Sequence, residues 1–180
     1  MQIPQLETAR LLLRPFTQDD LLIHHQLIGS DPRVTWHGKA LALEESEAAL
    51  QRRMQHWQEH GFGMWVVEEK VTGHLLGHAG LQHLEDSENV EVGYYFGQPA
   101  WGKGIATEAG AASIRYGFET LGLEKILAVV RPENQASHRV LSKLGLQHVR
   151  NEPHYGFDVQ VWQIERNAFQ PSEASYRLLP

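Results

Sequence analysis

Two glycines separated by one residue, Gly102 and Gly104, stand in the run Pro99-Ala100-Trp101-Gly102-Lys103-Gly104-Ile105-Ala106-Thr107-Glu108-Ala109, between a stretch that reads as a strand and one that reads as a helix. Residues without a Cβ let several backbone N–H groups converge on one point, and a helix start adds unpaired N–H groups and partial positive charge. The chemistry this spacing supports is anion binding, with a diphosphate as the natural guest. It is not a dinucleotide fingerprint, because Thr107 stands where a third glycine is required. Nor is it a Walker loop, because Ile105 follows Gly104 where Lys and then Ser or Thr are required. The alternative reading is a glycine-rich turn that only starts a helix. The helix behind it begins with Ala106, Ala109, Gly110, Ala111 and Ala112. An interior Gly costs ~1 kcal/mol relative to Ala, so Gly110 reads as a point of close approach to the helix.

A second constellation is Val130-Arg131-Pro132-Glu133-Asn134-Gln135-Ala136-Ser137-His138-Arg139-Val140-Leu141-Ser142-Lys143-Leu144-Gly145-Leu146. Asn134 suits an N-cap after a strand end. Val140, Leu141 and Leu144 recur as a core face, and Lys143 suits the negative end of the helix dipole. The chain holds 11 histidines. His56-Trp57-Gln58-Glu59-His60 matches the H-x-x-E-H pattern of some zinc proteases. It ends at a helix-closing Gly61, so it reads as surface histidines one turn apart, and no metal is expected.

These residues need elements to hold them. Leu6 to Phe16 reads as a strand, Asp19 to Ile28 as a helix ended by Gly29, and Leu43 to His60 as a second helix with Glu44, Glu45 and Glu47 in its first turns. Phe62 to Glu69, His74 to His83 and Val90 to Phe96 read as an antiparallel meander. Ile105 to Leu121 is a third helix, Lys125 to Val130 a buried strand and Asn134 to Leu144 a fourth helix. Leu146 to Arg150 and Phe157 to Arg166 read as closing strands. The order β-α-α-β-β-β-α-β-α-β-β is that of an α/β domain with a mixed sheet. The chain is expected to be one domain, with a core over residues 6–167 and a tail over 168–180.

Composition narrows the partners. At 180 residues, 42% hydrophobic and 21% charged, the chain is globular and long enough to bury a core without staples. With no cysteine it forms no disulfide, thiolate metal site or acyl-cysteine. A net charge of −6 argues against nucleic acid and favours a cationic partner. No apolar run is long enough to span a membrane. Met1-Gln2-Ile3-Pro4-Gln5 has neither the basic nor the apolar part of a secretory signal, so a cytoplasmic location is expected.

W-G-K-G-I-A-T-E-A, followed further on by N-Q-A-S-H-R-V-L-S-K-L-G-L, resembles the GNAT superfamily of acetyl-CoA-dependent N-acetyltransferases. With the early L-E-T-A-R-L-L-L-R-P-F and the strand E-V-G-Y-Y-F, it is most similar to the branch that includes the ribosomal-protein N-terminal acetyltransferases. The resemblance spans nearly the whole chain. It implies that acetyl-CoA lies between two splayed strands, here Val90–Phe96 and Lys125–Val130. Its pantetheine arm would run along the backbone near Tyr95 and Phe96. Its diphosphate would sit on the amides of Trp101, Gly102, Lys103, Gly104, Ile105 and Ala106 and on the Thr107 hydroxyl. Trp101 occupies a position where the wider family has Arg or Gln, and its own branch commonly has Trp. Asn134 matches an asparagine that contacts the pantetheine region. Relatives commonly form homodimers, and no apolar stripe here argues for one.

The implied reaction is attack of a neutral amine on a thioester. It needs a base, an oxyanion donor and an acid for the thiolate. The family's oxyanion donor is a strand N–H, here near Tyr94 or Tyr95. Strand alternation separates Val90 and Val92 from Glu91, Gly93 and Tyr95. Glu91 therefore reads as the base on the acceptor side if the valines face the core helices. Otherwise it is a solvated carboxylate at a strand start. Many members carry a tyrosine acid seven residues after the asparagine, where this chain has Leu141. Ser137 matches a serine that the branch can use as acid, or else it is a helix residue bonding the backbone. An α-amine with pKa ~7.7–8.0 is roughly 10% neutral at pH 7, against roughly 0.04% for a lysine amine. This favours a peptide N-terminus, such as that of a ribosomal protein, over a polyamine, an aminoglycoside or another small amine. His78 and His83, on a strand that borders the acceptor site in the family, and Trp36, in the Val34-Thr35-Trp36-His37-Gly38 loop, are the candidate acceptor contacts. A catalytically silent acyl-CoA binder on the same fold is the alternative that Leu141 supports.

Overall fold

The computed structural model describes residues 2–171 and 174–180; Met1, Ser172 and Glu173, two of them in the expected tail, lie outside the described residues. The first expected strand is a hairpin, β1 (Gln5–Thr8) and β2 (Leu11–Arg14), paired with Leu6 opposite Leu13. The chain reverses because the Thr8 hydroxyl accepts the Leu11 N–H at 3.1 Å, a local bond that competes with strand extension. The next expected helix is a composite of a 3₁₀ turn over Gln18–Asp20, α1 (Leu21–His24) and a π turn over His25–Gly29. Gly29 does not terminate it in a left-handed conformation. It lies inside the π turn, where a Cβ would fall 2.3 Å from Ser46 Oγ.

Helix α2 (Leu43–His60) is closed by Gly61 at φ 74°, as expected. The meander follows as β3 (Met64–Glu69), β4 (Leu75–His83) and β5 (Val90–Phe96). Then come α3 (Ile105–Glu119), β6 (Lys125–Val130), α4 (Gln135–Lys143), β7 (Gln147–His154) and β8 (Phe157–Glu165). The tail, expected outside the sheet, carries β9 (Tyr176–Leu179), which pairs antiparallel with β1 and satisfies its open edge. The observed order thus has two more strands than the sequence suggests. Among the described residues, nine strands form one mixed sheet in the order β7-β8-β6-β5-β4-β3-β2-β1-β9.

Alternation along the strands gives the sheet two faces. Trp65 and Val67 of β3, Ala79 and Leu81 of β4, and Val90 and Val92 of β5 join the main core with Ala109, Ala112 and Ile114 of α3. Met64 and Val66 point the other way, to Leu50 of α2 and Phe16. Glu91, Gly93 and Tyr95 share that second face. Every neighbouring strand pair is antiparallel except β5 and β6. Those two run parallel and are joined at a single register, Glu91 opposite Leu127. Strand β5 stays paired with β4 along its whole length, and β6 with β8. Beyond Glu91, the β6-facing edge of β5 is therefore open in the middle of the sheet. No helix among the described residues is long and apolar enough to cross a membrane.

Candidate active site

The opening between β5 and β6 leads to the Gly102–Gly104 loop. Gly102 at φ 71° and Gly104 at φ 75° are both left-handed, a conformation that costs a residue with a Cβ about 1–2 kcal/mol. Gly104 caps α3 without any side-chain cap. Its carbonyl accepts the Glu108 N–H at 3.0 Å, and the N–H groups of Ile105, Ala106 and Thr107 have no helical acceptor. Those amides and the dipole at their back can bind an anion. Trp101 donates its indole N–H to the Phe96 carbonyl at 2.7 Å, which ties the loop to the end of β5. Gly110 serves close approach between helices, since a Cβ there would lie 2.8 Å from Leu144 Cδ1.

A clamp that sequence reasoning did not single out holds this loop. Arg10, in the β1–β2 turn, donates to the Lys103 carbonyl at 2.9 Å and to Glu108 Oε2 at 2.6 Å. Glu108 also accepts the Thr8 hydroxyl at 2.6 Å and the Arg10 N–H at 2.9 Å. Burial would raise the Glu108 pKa, but the Thr8 and Arg10 bonds outweigh it and hold the carboxylate ionised. The only signal in the sequence was that Thr8, Arg10 and Glu108 fall inside the quoted motifs.

On the α3 and α4 side of the opening, the Tyr94 hydroxyl lies 2.8 Å from Ser137 Oγ. Burial pushes the Tyr94 pKa up to about 12, so its proton is retained at neutral pH. Asn134 spends its Oδ1 on the Ser137 N–H at 3.1 Å, the cap of α4. Leu141, where many relatives carry tyrosine, is a buried core residue.

On the α1 and α2 side, Glu91 is only 4% exposed. It is not the solvated carboxylate of the alternative reading. Its Oε1 accepts from Gln82 Nε2 at 2.8 Å and from the Tyr155 hydroxyl at 2.5 Å. Burial raises its pKa to about 7, against the opposing pull of those two bonds. Tyr155, which no motif or spacing singles out, sits at φ 50° in the β7–β8 turn. Its N–H donates to Glu85 Oε1 at 2.8 Å. His154 in turn bridges Glu85 and Glu152 at 2.7 and 2.8 Å. Burial opposes its protonation, but both carboxylates favour it, and the His154 pKa is raised. The hairpin tip is thus tied to the β4–β5 turn and places the Tyr155 phenol on Glu91.

Gln82 and Tyr155 also line a cavity of about 650 Å³, bounded by Arg52 and Arg53 on one wall and Glu85, Asp86 and Glu88 on another. His83 lines it. His78 does not. It is 1% exposed, and its Nδ1 lies 2.9 Å from His24 Nε2. Its ring stacks on Tyr95 at 5.0 Å. Helix α1 covers it through His24. Arg53 approaches His78 Nε2 at 3.4 Å. A guanidinium only donates, so His78 Nε2 is the acceptor and its Nδ1–H donates to His24. Burial, and then Arg53, keep both imidazoles neutral, with the His24 pKa lowered to about 3. Burial also lowers Arg53, to about 10, and no carboxylate lies against it among the described residues. Trp36 packs its ring edge-on against Tyr155 at 5.7 Å and Phe157 at 6.1 Å. The loop after α1 thereby reaches the β7–β8 hairpin across the opening.

An open parallel strand pair ending at a glycine-flanked helix start, with a buried acid at its root, is the frame of an acyl-CoA-dependent transferase. Residues 10–147 match the family described as Acetyltransferase (GNAT) domain, and the chain belongs to that family. It is 33% identical over 147 residues, 80% of this chain and 83% of the relative, to the uncharacterized N-acetyltransferase YoaA of Bacillus subtilis (strain 168). The acetyltransferase of Agrobacterium tumefaciens str. C58 superposes with a TM-score of 0.82 at 27% identity, covering 92% of this chain and 96% of that one. Two structures share the fold at lower identity. The spermidine N-acetyltransferase of Vibrio cholerae with CoA and spermine matches at 21% identity, TM-score 0.73, with 89% and 98% covered. RimL, a ribosomal L7/L12 alpha-N-protein acetyltransferase with CoA, matches at 18%, TM-score 0.74, with 90% and 97% covered. The chain is an N-acetyltransferase that moves an acetyl group from acetyl-CoA to an amine.

Proposed function

We propose that the acceptor is the N-terminal amine of a peptide or protein, and that it attacks the thioester directly with Glu91 as general base. The observation that carries this reading is the Glu91 carboxyl, buried at the root of the β5–β6 opening with a pKa of about 7. A base is most effective when its pKa lies near the working pH. A base of this strength suits an α-amine, of which roughly a tenth is already neutral at pH 7, better than a lysine or polyamine amine. Gln82 and Tyr155 orient the carboxylate and themselves line the cavity.

The cofactor fits the residues present. The amides of Ile105, Ala106 and Thr107, with Gly102 and Gly104 leaving room, would hold the diphosphate. The open edge of β5 at Tyr94, Tyr95 and Phe96 would take the pantetheine arm and supply the oxyanion donor. Acetyl-CoA supplies the activated acyl group when bound. Ser137, hydrogen-bonded to Tyr94, would return a proton to the departing thiolate, with the phenol replenishing it and itself reprotonated from water before the next turnover, so Leu141 leaves no gap in the proton path. Glu91 and Ser137 lie on opposite faces of β5, which keeps the base on the acceptor side and the acid on the cofactor side.

The cavity refines the expectation of a cationic acceptor. Net charge is −6, yet Arg52 and Arg53 line one wall and acids the other. A peptide start offers an amine to the acidic side and carbonyl oxygens to the arginines, whereas a polyamine offers nothing to an arginine. Acetyl-CoA turnover is to be compared across peptides with free N-termini, spermidine and an aminoglycoside. Peptides are expected to give the highest kcat/KM. Turnover of spermidine with none of peptides would overturn the reading.

A further inference from the structure

We propose that His56, His60 and His83 form a binding site for a zinc-class divalent transition metal in the wall of the acceptor cavity. One ring nitrogen from each lies within 4.8 Å of the other two. The three come from different places. His56 and His60 are one turn apart on α2, which puts both on one face, and His83 ends β4. Their ring centroids are 4.5 Å apart for His56 and His60, 5.4 Å for His56 and His83, and 4.6 Å for His60 and His83. Zinc–nitrogen bonds of about 2.0–2.1 Å in a tetrahedron put ligand nitrogens about 3.4 Å apart. Small rotations of the rings reach that distance, and the exposed His60 is free to make them.

The protonation pattern suits a ligand set. His56 Nδ1 lies 2.8 Å from the Phe62 carbonyl, which fixes it as the N–H donor and leaves Nε2 with a lone pair. Metal-bound imidazoles are commonly oriented by such a bond from their other nitrogen. Among the described residues, the one competitor for Nε2 is the His83 N–H at 3.4 Å, at the outer limit of a hydrogen bond. Glu59, with an oxygen 3.8 Å from His60 Nε2, and Glu88, acting on His83, supply negative charge that offsets Arg52 and Arg53 in the same cavity.

An all-imidazole set selects zinc, cobalt, nickel or copper over magnesium or calcium. Three protein ligands leave a fourth position open toward the cavity, the pattern of a site that can also take water or a ligand oxygen. The H-x-x-E-H run therefore has a third partner that spacing along the chain does not show.

The test titrates zinc into tag-free, chelator-treated protein against a chromophoric competitor, and follows cobalt(II) absorption in parallel. One ion per chain is expected, with the intense visible bands of four-coordinate cobalt. Affinity should fall at least roughly tenfold in His60→Gln and in His83→Gln, and be unchanged in His74→Gln, whose imidazole lies outside the cluster. Melting curves of the metal-free variants establish that they fold; His60 is exposed and its loss should leave them unchanged. No stoichiometric binding by folded wild-type protein, or binding insensitive to both substitutions, overturns the proposal. Neither outcome bears on acetyl transfer, which is measured separately in metal-free buffer.

Discussion

The two sides of strand β5 are built from different materials. On the α3 and α4 side the anion loop is made almost entirely of backbone: left-handed Gly102 and Gly104, the first amides of α3, and an open strand edge. On the α1 and α2 side the site is made of side chains from β4, β5, α2, the loop after α1 and the β7–β8 hairpin, joined by hydrogen bonds. A backbone site recognises a group common to every substrate of its class. A side-chain site can be rewritten one residue at a time. On the proposed reading of the site, the fold therefore holds the cofactor constant and leaves the acceptor variable.

The sharpest way to break this division is Glu91→Gln. It should lower kcat/KM by roughly 10²–10⁴ and leave the CoA dissociation constant unchanged. Wild-type activity should fall as pH drops through about 7, because the base must be unprotonated, and the variant should lose that limb. Stability should move the opposite way. A carboxyl whose folded pKa is raised from 4.5 contributes stability that is complete below pH 4.5 and lost as pH rises through about 7. At pH 8 the Gln variant should be the more stable by up to about 3 kcal/mol, read from urea melts. A variant as active as wild type would remove Glu91 from the chemistry.

Arg53→Met tests the acceptor side alone. Loss of a charged hydrogen-bonding group facing the cavity should raise the acceptor KM by about 10–100-fold, with CoA binding unaltered. A lowered KM for a polycationic amine would instead mark Arg53 as a repulsive element and shift the substrate reading. Gly104→Ala tests the other side. Forcing a Cβ into the left-handed conformation costs about 1–2 kcal/mol, so CoA affinity should fall about 5–30-fold while the acceptor KM holds. If either substitution moved both constants equally, the two sides would be one coupled site.

The same division explains how much could be read from the chain. Glycine spacing reports backbone geometry directly, so the loop, the cap at Asn134 and the strand that carries Glu91 were legible. The faces of β5 were legible too, because alternation alone separates Glu91 from Val90 and Val92. Tyr155 was not, since nothing local distinguishes a tyrosine in a hairpin turn from any other. What selects it is Glu85, seventy positions away in sequence. His78 was misplaced for the same reason. Its strand borders the cavity, but α1 supplies His24 and buries it. The split of β1 from β2 hinges on one hydroxyl accepting one amide, which hydrophobic pattern does not register.

The smallest expected effect is the most pointed, because Arg10 is a side chain serving the backbone side. Its guanidinium touches no reacting group; it holds the Lys103 carbonyl and Glu108 and so fixes how the loop's amides converge. The Arg10 side chain is 49% exposed, and exposed ion pairs contribute about 0.2–1 kcal/mol. Arg10→Gln should therefore weaken CoA binding only about two- to fivefold, with kcat unchanged at saturating CoA. High salt should weaken wild-type binding toward the variant's and leave the variant less affected. A salt dependence that the variant shares in full would mean that the phosphates, and not the clamp, feel the ionic strength. The loop would then keep its shape from Gly102 and Gly104 alone.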